Sequence, residues 1–353
     1  MNSEAKRVRQ LFIDVLSSDE AVACDAILLS GGLDTSIASE VVKTMTPRSK
    51  ESKLQTGITL TIDPSKNPLA ETNGLFKQQP QDIEYARKIA VKLGLKHHVL
   101  TPTLDELLNG EMMRLCVRVL RTFDGMGLRN SVVIASSLCR AKELGCTRVC
   151  TGDGADELFA GYSFMHKMGD SDLRMYTDNM IRTMSFCAFP LAKELGLEAW
   201  SPFLDKRVIS YATSNRGGAR DLKIGQFKGA THGKLILRKA FPEVVSAARR
   251  KEPIEVGCGT TVMPGLIALA ISDEEFAKEA KEAKEKYDIV VRDKERLAYF
   301  RSFRKHVLED PEIMAEMKRY GPDACPDCKF RLKDGTSFCS VCGLYPARPV
   351  VRG

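Results

Sequence analysis

The sequence predicts an α/β fold in which a parallel β-sheet is flanked by helices. Short apolar runs, glycine-containing turns directly after them and helical patterns after the turns all support this class. Residues 23 to about 160 repeat this alternation, which is typical of parallel sheets. The chain has 353 residues and 43% hydrophobic content, enough for one large domain or two smaller ones.

The flanking helices follow from hydrophobic periodicity. Residues 1 to about 22 form one amphipathic pattern. Its apolar face consists of Leu11, Phe12, Val15 and Leu16. Further helices are predicted for residues 130–144, most of residues 161–240, residues 273–288 and residues 292–307.

The first segment that suggests chemistry is SGGLDTS, residues 30–36, directly after the apolar residues 26–29. Its glycines let backbone N–H groups approach phosphate oxygens, and the following helix has a dipole that favours an anion. A bare phosphate would repel Asp34, whereas a magnesium ion bridging phosphates would attract it. The structural alternative is a strand–turn–helix with an aspartate or serine cap. The GxxxxGK[ST] pattern of a Walker-type loop is absent from the sequence.

The second segment is TGDGADELFAGY, residues 151–162, which also follows a short predicted strand. Asp153, Asp156 and Glu157 stand close together in it, and their like charges repel one another. A cation relieves that repulsion, so Asp156 is predicted to be a second magnesium ligand. The alternative is a solvated acidic first turn of a helix.

In this order the two motifs resemble the asparagine synthetase family, specifically its synthetase half. Other stretches that resemble the family are residues 82–87, 95–99, 200–206, 234–241 and 249–252. The matches run in the family's order from about residue 20 to about residue 305. The resemblance implies a HUP-like adenine nucleotide hydrolase fold with a helical C-terminal part, and a site for ATP and Mg²⁺.

The resemblance also assigns roles to single residues. Those that match the pyrophosphate-binding loop are Ser30, Gly31, Gly32, Thr35 and Ser36. Asp34 and Asp156 match the two magnesium carboxylates, and Lys251 matches the lysine that neutralises the α-phosphate and leaving pyrophosphate. Gly57 matches a contact with the nucleotide base, and Gly152 matches a backbone contact near the adenylate.

The candidate catalytic residues are Lys251, Asp153 and Glu157. Asp153 stands where many members of the family have glutamate, a carboxylate that takes a proton from the attacking ammonia or orients it. Aspartate can still act as a base, although its reach is one methylene shorter. The implied reaction joins a carboxylate, by default that of aspartate, to the α-phosphate of ATP, and ammonia then displaces AMP.

The source of ammonia is a separate question. Glutamine-dependent members begin with a glutaminase domain whose N-terminal cysteine is the nucleophile, whereas here Met1 precedes Asn2 and the ATP loop begins at Ser30. We therefore expect a stand-alone synthetase that takes ammonia from solution or from a separate glutaminase subunit.

The C-terminal region contains two CxxC pairs, Cys325 with Cys328 and Cys339 with Cys342. This spacing predicts a zinc ribbon over residues 318–353, following a synthetase-like domain over residues 1–310. So short a tail needs a metal ion to fold. Its basic residues are Lys329, Arg331, Lys333, Arg348 and Arg352. The alternatives for the tail are contact with a protein partner, capping of the synthetase, or contact with RNA.

Composition excludes several other classes. No apolar stretch is long enough to span a membrane, and the first residues lack the pattern of a signal peptide. Eleven cysteines without secretory features indicate a reducing, cytoplasmic compartment. The net charge of +7 suits anionic substrates such as ATP but does not by itself indicate nucleic acid.

Three functions therefore compete. The first is an ATP-dependent, AMP-forming amide synthase. The second is a tRNA-modifying enzyme of the same ATP-pyrophosphatase superfamily, some members of which carry CxxC zinc modules. The third is a non-catalytic scaffold, against which the presence of Asp34, Asp156 and Lys251 argues.

Overall fold

A computed structural model describes residues 1–46 and 52–349. The chain divides into two compact units. Unit 1 comprises Met1–Thr61, Pro80–Leu100 and Ser137–Cys258, and unit 2 comprises Ile62–Gln79, Thr101–Ser136 and Gly259–Gly353. The sequence predicts that residues 1–310 and 318–353 fold as separate domains. That division stays a prediction. Arg352 of the predicted ribbon lies outside the described residues.

The elements below are numbered in chain order within the described residues. The strands are β1 (Ala26–Leu28), β2 (Thr56–Leu60), β3 (Lys96–Leu100), β4 (Arg148–Cys150), β5 (Glu198–Trp200), β6 (Gly225–Phe227) and β7 (Ala230–His232). The helices are α1 (Ser3–Leu16), α2 (Asp19–Val22), α3 (Leu33–Thr44), α4 (Pro68–Thr72), α5 (Asp82–Leu93), α6 (Leu104–Asn109), α7 (Glu111–Leu120), α8 (Gly125–Glu143), α9 (Ala155–Phe159), α10 (Asp170–Thr183), α11 (Ala188–Glu194), α12 (Lys206–Thr213), α13 (Arg220–Lys223), α14 (Leu235–Ala240), α15 (Ile254–Cys258), α16 (Met263–Ala270), α17 (Asp273–Tyr287), α18 (Lys294–Phe303) and α19 (Pro311–Glu316).

Unit 1 contains a parallel sheet with strand order β3-β2-β1-β4-β5, which confirms the predicted fold class. The central strand β1 pairs through Ile27 with Gly57 of β2 and with Cys150 of β4. The order of the strands reverses between β1 and β4. In open α/β sheets, ligands bind at such a switch point, outside the carboxyl ends of the strands. Both predicted motifs begin at this point.

The N-terminal segment forms two helices where the sequence predicts one. Helix α1 ends at Leu16, and Ser18 then caps the short α2 by accepting a hydrogen bond from the Ala21 N–H at 3.3 Å. Phe12 of α1 lies 5.3 Å, ring centre to ring centre, from Phe203 and 6.0 Å from Phe241. Helix α1 is therefore part of the core of unit 1.

Other predictions differ from the structure at their ends. Helix α8 begins at Gly125 and not near residue 130, because the Asp124 carboxylate accepts a hydrogen bond from the Gly127 N–H at 2.9 Å and starts the helix early. The region 161–240 was predicted to be mostly helical, but it also contains β5 and the antiparallel hairpin β6–β7. At the hairpin turn Gly229 has φ +85°, which glycine adopts without strain.

Unit 2 has an aromatic core of its own. Phe123 lies 5.4 Å from Phe300 and 5.0 Å from Phe303, and Phe303 lies 5.9 Å from Phe330, measured between ring centres. Helices α17 and α18 confirm the helical patterns predicted near residues 273–288 and 292–307. None of the helices in the described ranges is long and apolar enough to cross a membrane.

Candidate active site

The two predicted motifs lie at the carboxyl ends of adjacent strands. Residues 30–32 leave β1 and lead into α3, and residues 151–154 leave β4 and lead into α9. At Gly152 an added Cβ would lie 3.0 Å from the Cβ of Asp34, so the two loops are in contact. The structure therefore brings together two segments that are about 120 residues apart in the sequence.

The SGG turn packs closely against α5 and accepts hydrogen bonds from Ser246 and Arg249. Gly31 has φ +68°, and an added Cβ would lie only 2.6 Å from the Asp82 carbonyl oxygen. Ser246 Oγ donates to the Gly31 carbonyl at 2.6 Å, and Arg249 donates to the Ser30 carbonyl at 3.3 Å. Only glycine fits at position 31.

Arg249 links that turn to α5. Its guanidinium donates to Asp82 Oδ1 at 2.6 Å and lies 4.4 Å from the centre of the Tyr85 ring. Burial raises the pKa of Asp82 to about 6, although Arg249 opposes the shift. Arg249 lies in a stretch that resembles the family, but the resemblance implies no role for it.

The hydroxyl groups of Ser30, Thr35 and Ser36 lie at the turn and at the start of α3. Ser30 Oγ and Thr35 Oγ1 lie 3.3 Å apart, and Ser30 Oγ accepts from the Gly32 N–H at 3.2 Å. Ser36 Oγ is buried without a hydrogen-bond partner among the described residues. Hydroxyl and N–H groups at the start of a helix are suited to phosphate oxygens.

Asp34 and Asp156 flank a single buried ammonium group, that of Lys234. Lys234 Nζ donates to Asp34 Oδ2 at 2.6 Å and lies 2.8 Å from Asp156 Oδ1. The Lys234 side chain is only 3% exposed. Burial lowers the pKa of Lys234, but the two carboxylates outweigh it and the net shift is upward, so this lysine stays charged.

Lys234 is a candidate functional residue that the sequence alone does not indicate. It directly precedes the apolar helix α14, and its φ of +55° turns its side chain back towards α9. Gly161 makes room for it, since a Cβ there would lie 1.8 Å from Asp156 Oδ1 and 2.5 Å from Lys234 Cε. A lysine before an apolar helix resembles an ordinary surface residue, so the pattern held no signal for this role.

The two carboxylates fit a divalent cation. Oδ1 of Asp34 is buried and accepts no hydrogen bond from the described residues. Burial raises the pKa of Asp34, whereas for Asp156 the neighbouring Lys234 and Lys251 outweigh burial and lower the pKa. Carboxylate oxygens next to a glycine turn, of which Asp34 Oδ1 is unpartnered, match the ligands that Mg²⁺ takes when it bridges phosphates.

Lys251 lies where the sequence predicts a catalytic cation. Its Nζ is 3.5 Å from Asp156 Oδ2 and donates to the Glu252 carbonyl at 2.9 Å. The side chain is 30% exposed, in contrast to the buried Lys234. One lysine is thus fixed between the carboxylates, and the other stands at the edge of the site.

Asp153 and Glu157 occupy the second motif beside Asp156. Thr151 Oγ1 donates to Asp153 Oδ2 at 2.9 Å, and Ser201 Oγ donates to the Asp153 carbonyl at 2.6 Å. Burial raises the pKa of Asp153 to about 6. Burial also raises the pKa of Glu157, which accepts a hydrogen bond from the Tyr162 hydroxyl at 2.6 Å.

Gly57 lies inside strand β2, well before the carboxyl end of that strand at Leu60. An added Cβ would lie 3.1 Å from Leu29 Cδ2, so the absence of a side chain has a packing reason here. The predicted contact of Gly57 with a nucleotide base stays a prediction.

Unit 2 holds a second candidate site. Cys325, Cys328, Cys339 and Cys342 are buried, and their Sγ atoms all lie within 4.8 Å of one another. The Cys325–Cys342 and Cys328–Cys339 sulfur pairs are each 3.6 Å apart. Four sulfurs around a tetrahedral Zn²⁺ lie about 3.8 Å apart. The cluster is therefore compatible with a small zinc ribbon.

Comparisons with known proteins show similarity to one family. Residues 14–185 match the family model described as asparagine synthase. Asparagine synthetase B (glutamine-hydrolyzing) of Escherichia coli is 27% identical, over 71% of this chain and 45% of its own. A probable asparagine synthetase (glutamine-hydrolyzing) of Dictyostelium discoideum is 28% identical, over 71% and 46%.

The sheet and its two strand-end motifs first define an α/β protein with a candidate site at the switch point of the sheet. Residues 14–185 are then similar to the asparagine synthase family that this model describes. The chain spans about half the length of the curated relatives it matches.

Proposed function

We propose that this protein is an AMP-forming ligase that joins a carboxylate, by default that of aspartate, to ammonia. In the proposed reaction a carboxylate oxygen attacks the α-phosphorus of ATP, and the bond to pyrophosphate breaks. Ammonia then attacks the acyl carbon, AMP leaves, and the amide remains after loss of a proton. Adenylation is needed because a free carboxylate has no suitable leaving group.

The observation that carries this proposal is the arrangement of charge at the switch point. Two buried carboxylates, Asp34 and Asp156, flank one fixed lysine, and a second lysine lies 3.5 Å from Asp156. This cluster stands next to a glycine turn whose donors suit phosphate. Such an arrangement suits a triphosphate with its metal ion better than it suits packing.

Each residue has a task in the first step. Asp34 and Asp156 would hold Mg²⁺, which when bound neutralises charge on the phosphates. Ser30, Thr35 and the turn N–H groups would bind the pyrophosphate part. Lys234 holds the two carboxylates in place before substrate arrives. Lys251, at the exposed edge, supplies positive charge where negative charge grows on the leaving pyrophosphate.

Asp153 is the proposed base of the second step. Its carboxylate is buried, and its pKa of about 6 lets it stay ionised at neutral pH while still accepting a proton. Glu157 lies on the same loop and helix, and Tyr162 orients it. The carboxylate of Glu157 would stabilise the positive charge that the nitrogen gains as ammonia attacks the acyl carbon.

Ammonia is proposed to come from solution or from a separate glutaminase. The chain has eleven cysteines without secretory features, which favours a reducing, cytoplasmic compartment. We further propose that Zn²⁺ occupies the four-cysteine cluster of unit 2.

The direct test is turnover by the full chain with ATP, Mg²⁺, ammonium and aspartate. Pyrophosphate, AMP and asparagine should form in equal amounts. Pyrophosphate release that requires tRNA, without asparagine, would contradict the proposal and support a tRNA-modifying enzyme. Absence of ATP turnover with every acceptor tried would support the scaffold.

Asparagine at position 153 should separate the two steps. Asp153→Asn is expected to slow amide formation about a hundredfold while aspartate-dependent ATP–pyrophosphate exchange changes little, because only the second step needs the base. In the unaltered protein, at a fixed concentration of free NH₃, the rate of amide formation should fall as the pH drops through about 6, since protonation of Asp153 removes the base. Equal loss of exchange and amide formation would contradict this role.

A further inference from the structure

A cavity of about 780 Å³ lies in unit 1 beside the proposed adenylating centre. Four parts of the chain line it: residues of the segment 161–166 after α9, the hairpin β6–β7 with residue 233, Arg238 of α14, and Arg250, Lys251 and Pro253. Its size is within the range of small-molecule sites. None of the residues of the first motif lines it, so the cavity is distinct from the SGG turn.

The charge of the cavity wall has one sign. Its charged side chains are Arg238, Arg250 and Lys251, and no aspartate or glutamate is among the lining residues. Arg238 is buried and donates to the carbonyls of Gly233 and Ala247, so carbonyl oxygens alone satisfy it. A cavity wall whose charged side chains are all cationic attracts anions.

Arg250 is the cation of this wall that is available to a ligand. It is exposed, and no carboxylate among the described residues lies within ion-pair distance of it. His166 also lines the cavity, and its Nε2 is buried without a hydrogen-bond partner in the described part of the chain. A guanidinium presents a planar fork of donors that fits carboxylate and phosphate oxygens.

Lys251 connects this cavity to the carboxylate cluster. It lines the cavity and also lies 3.5 Å from Asp156 Oδ2. We propose that the cavity is a second anion subsite in which Arg250 binds a carboxylate or phosphate group, an inference that rests on the proposed function. That group belongs either to the departing pyrophosphate or to the acceptor.

Calorimetric titration of the full chain tests the subsite without turnover. The probes are inorganic pyrophosphate alone, and aspartate in the presence of α,β-methylene-ATP. Arg250→Gln should weaken binding of one probe about tenfold, the loss expected for one charged hydrogen bond. Arg250→Lys, which keeps the charge but loses the fork, should weaken it less.

Arg182→Gln is the matched control, because Arg182 is an exposed arginine on α10 that does not line the cavity. Loss confined to pyrophosphate assigns the subsite to the leaving group, and loss confined to aspartate assigns it to the acceptor. If the Arg250→Gln and Arg182→Gln variants bind both probes with equal affinity, the proposed subsite is wrong. If the chain turns over ATP but Arg250→Gln does not weaken binding of either probe, this inference is wrong and the proposed function stands. If Arg250→Gln weakens binding but the chain does not turn over ATP, the proposed function is wrong and the subsite stands.

Discussion

Asp34→Asn is expected to lower the rate of aspartate-dependent pyrophosphate release on the order of a thousandfold. The substitution keeps the size of the side chain but removes one of the two buried charges around Lys234. Asparagine is a weaker ligand for a hard divalent cation, so the metal-bound triphosphate would lose both affinity and orientation. Steady-state pyrophosphate release at saturating Mg²⁺ measures the effect.

A matched control is Asp172→Asn, which alters an exposed aspartate in the first turn of α10. This control should keep the unaltered rate. Thermal unfolding of both variants shows whether they fold. If a folded Asp34→Asn variant releases pyrophosphate within tenfold of the unaltered rate, Asp34 does not hold the metal ion.

Cys328→Ser is expected to abolish metal binding by the four-cysteine cluster and to unfold the tail that it organises. A structural zinc site supplies about 10 kcal/mol or more of folding free energy, which so small a segment cannot replace. Zinc content should fall from one ion per chain to near zero. Amide hydrogen exchange should become fast over residues 320–349.

The effect should reach beyond the tail within unit 2. The Phe123 N–H donates to the Val341 carbonyl at 2.8 Å, and Arg296 Nε donates to the Cys342 carbonyl at 2.9 Å. Amide protection near residue 123 should therefore fall as well. Cys139→Ser is the control, since Cys139 is not one of the four clustered cysteines and its thiol donates to Glu143 within α8. Unchanged protection in a zinc-free Cys328→Ser protein would show that the ribbon folds without metal.

Local patterns predicted much of this molecule correctly. Apolar runs followed by glycine turns identified β1 and β4, and helical periodicity identified α17 and α18. The cysteine spacing predicted a cluster whose sulfur atoms do lie together. These features succeed because each is encoded within a few neighbouring residues.

Features that depend on tertiary packing were harder to predict. Lys234 reaches Asp34 from a position 200 residues away in sequence, and Arg249 reaches Asp82 across 167 residues. No local spacing relates such pairs. The hairpin β6–β7 was also missed, because its strands are short and adjoin helices on both sides. The roles of Asp153, Glu157, Gly57 and Gly152 stay predictions.

The central claim is that the substrate carboxylate attacks the α-phosphorus of ATP. Aspartate labelled with ¹⁸O in its side-chain carboxylate tests this claim most directly, with mass analysis of the phosphorus-containing products. If the claim is correct, AMP carries one ¹⁸O atom and pyrophosphate carries none, because the acyl carbon–oxygen bond breaks when ammonia attacks. Amide formation with ¹⁸O in inorganic phosphate or pyrophosphate, or with unlabelled AMP, would contradict it.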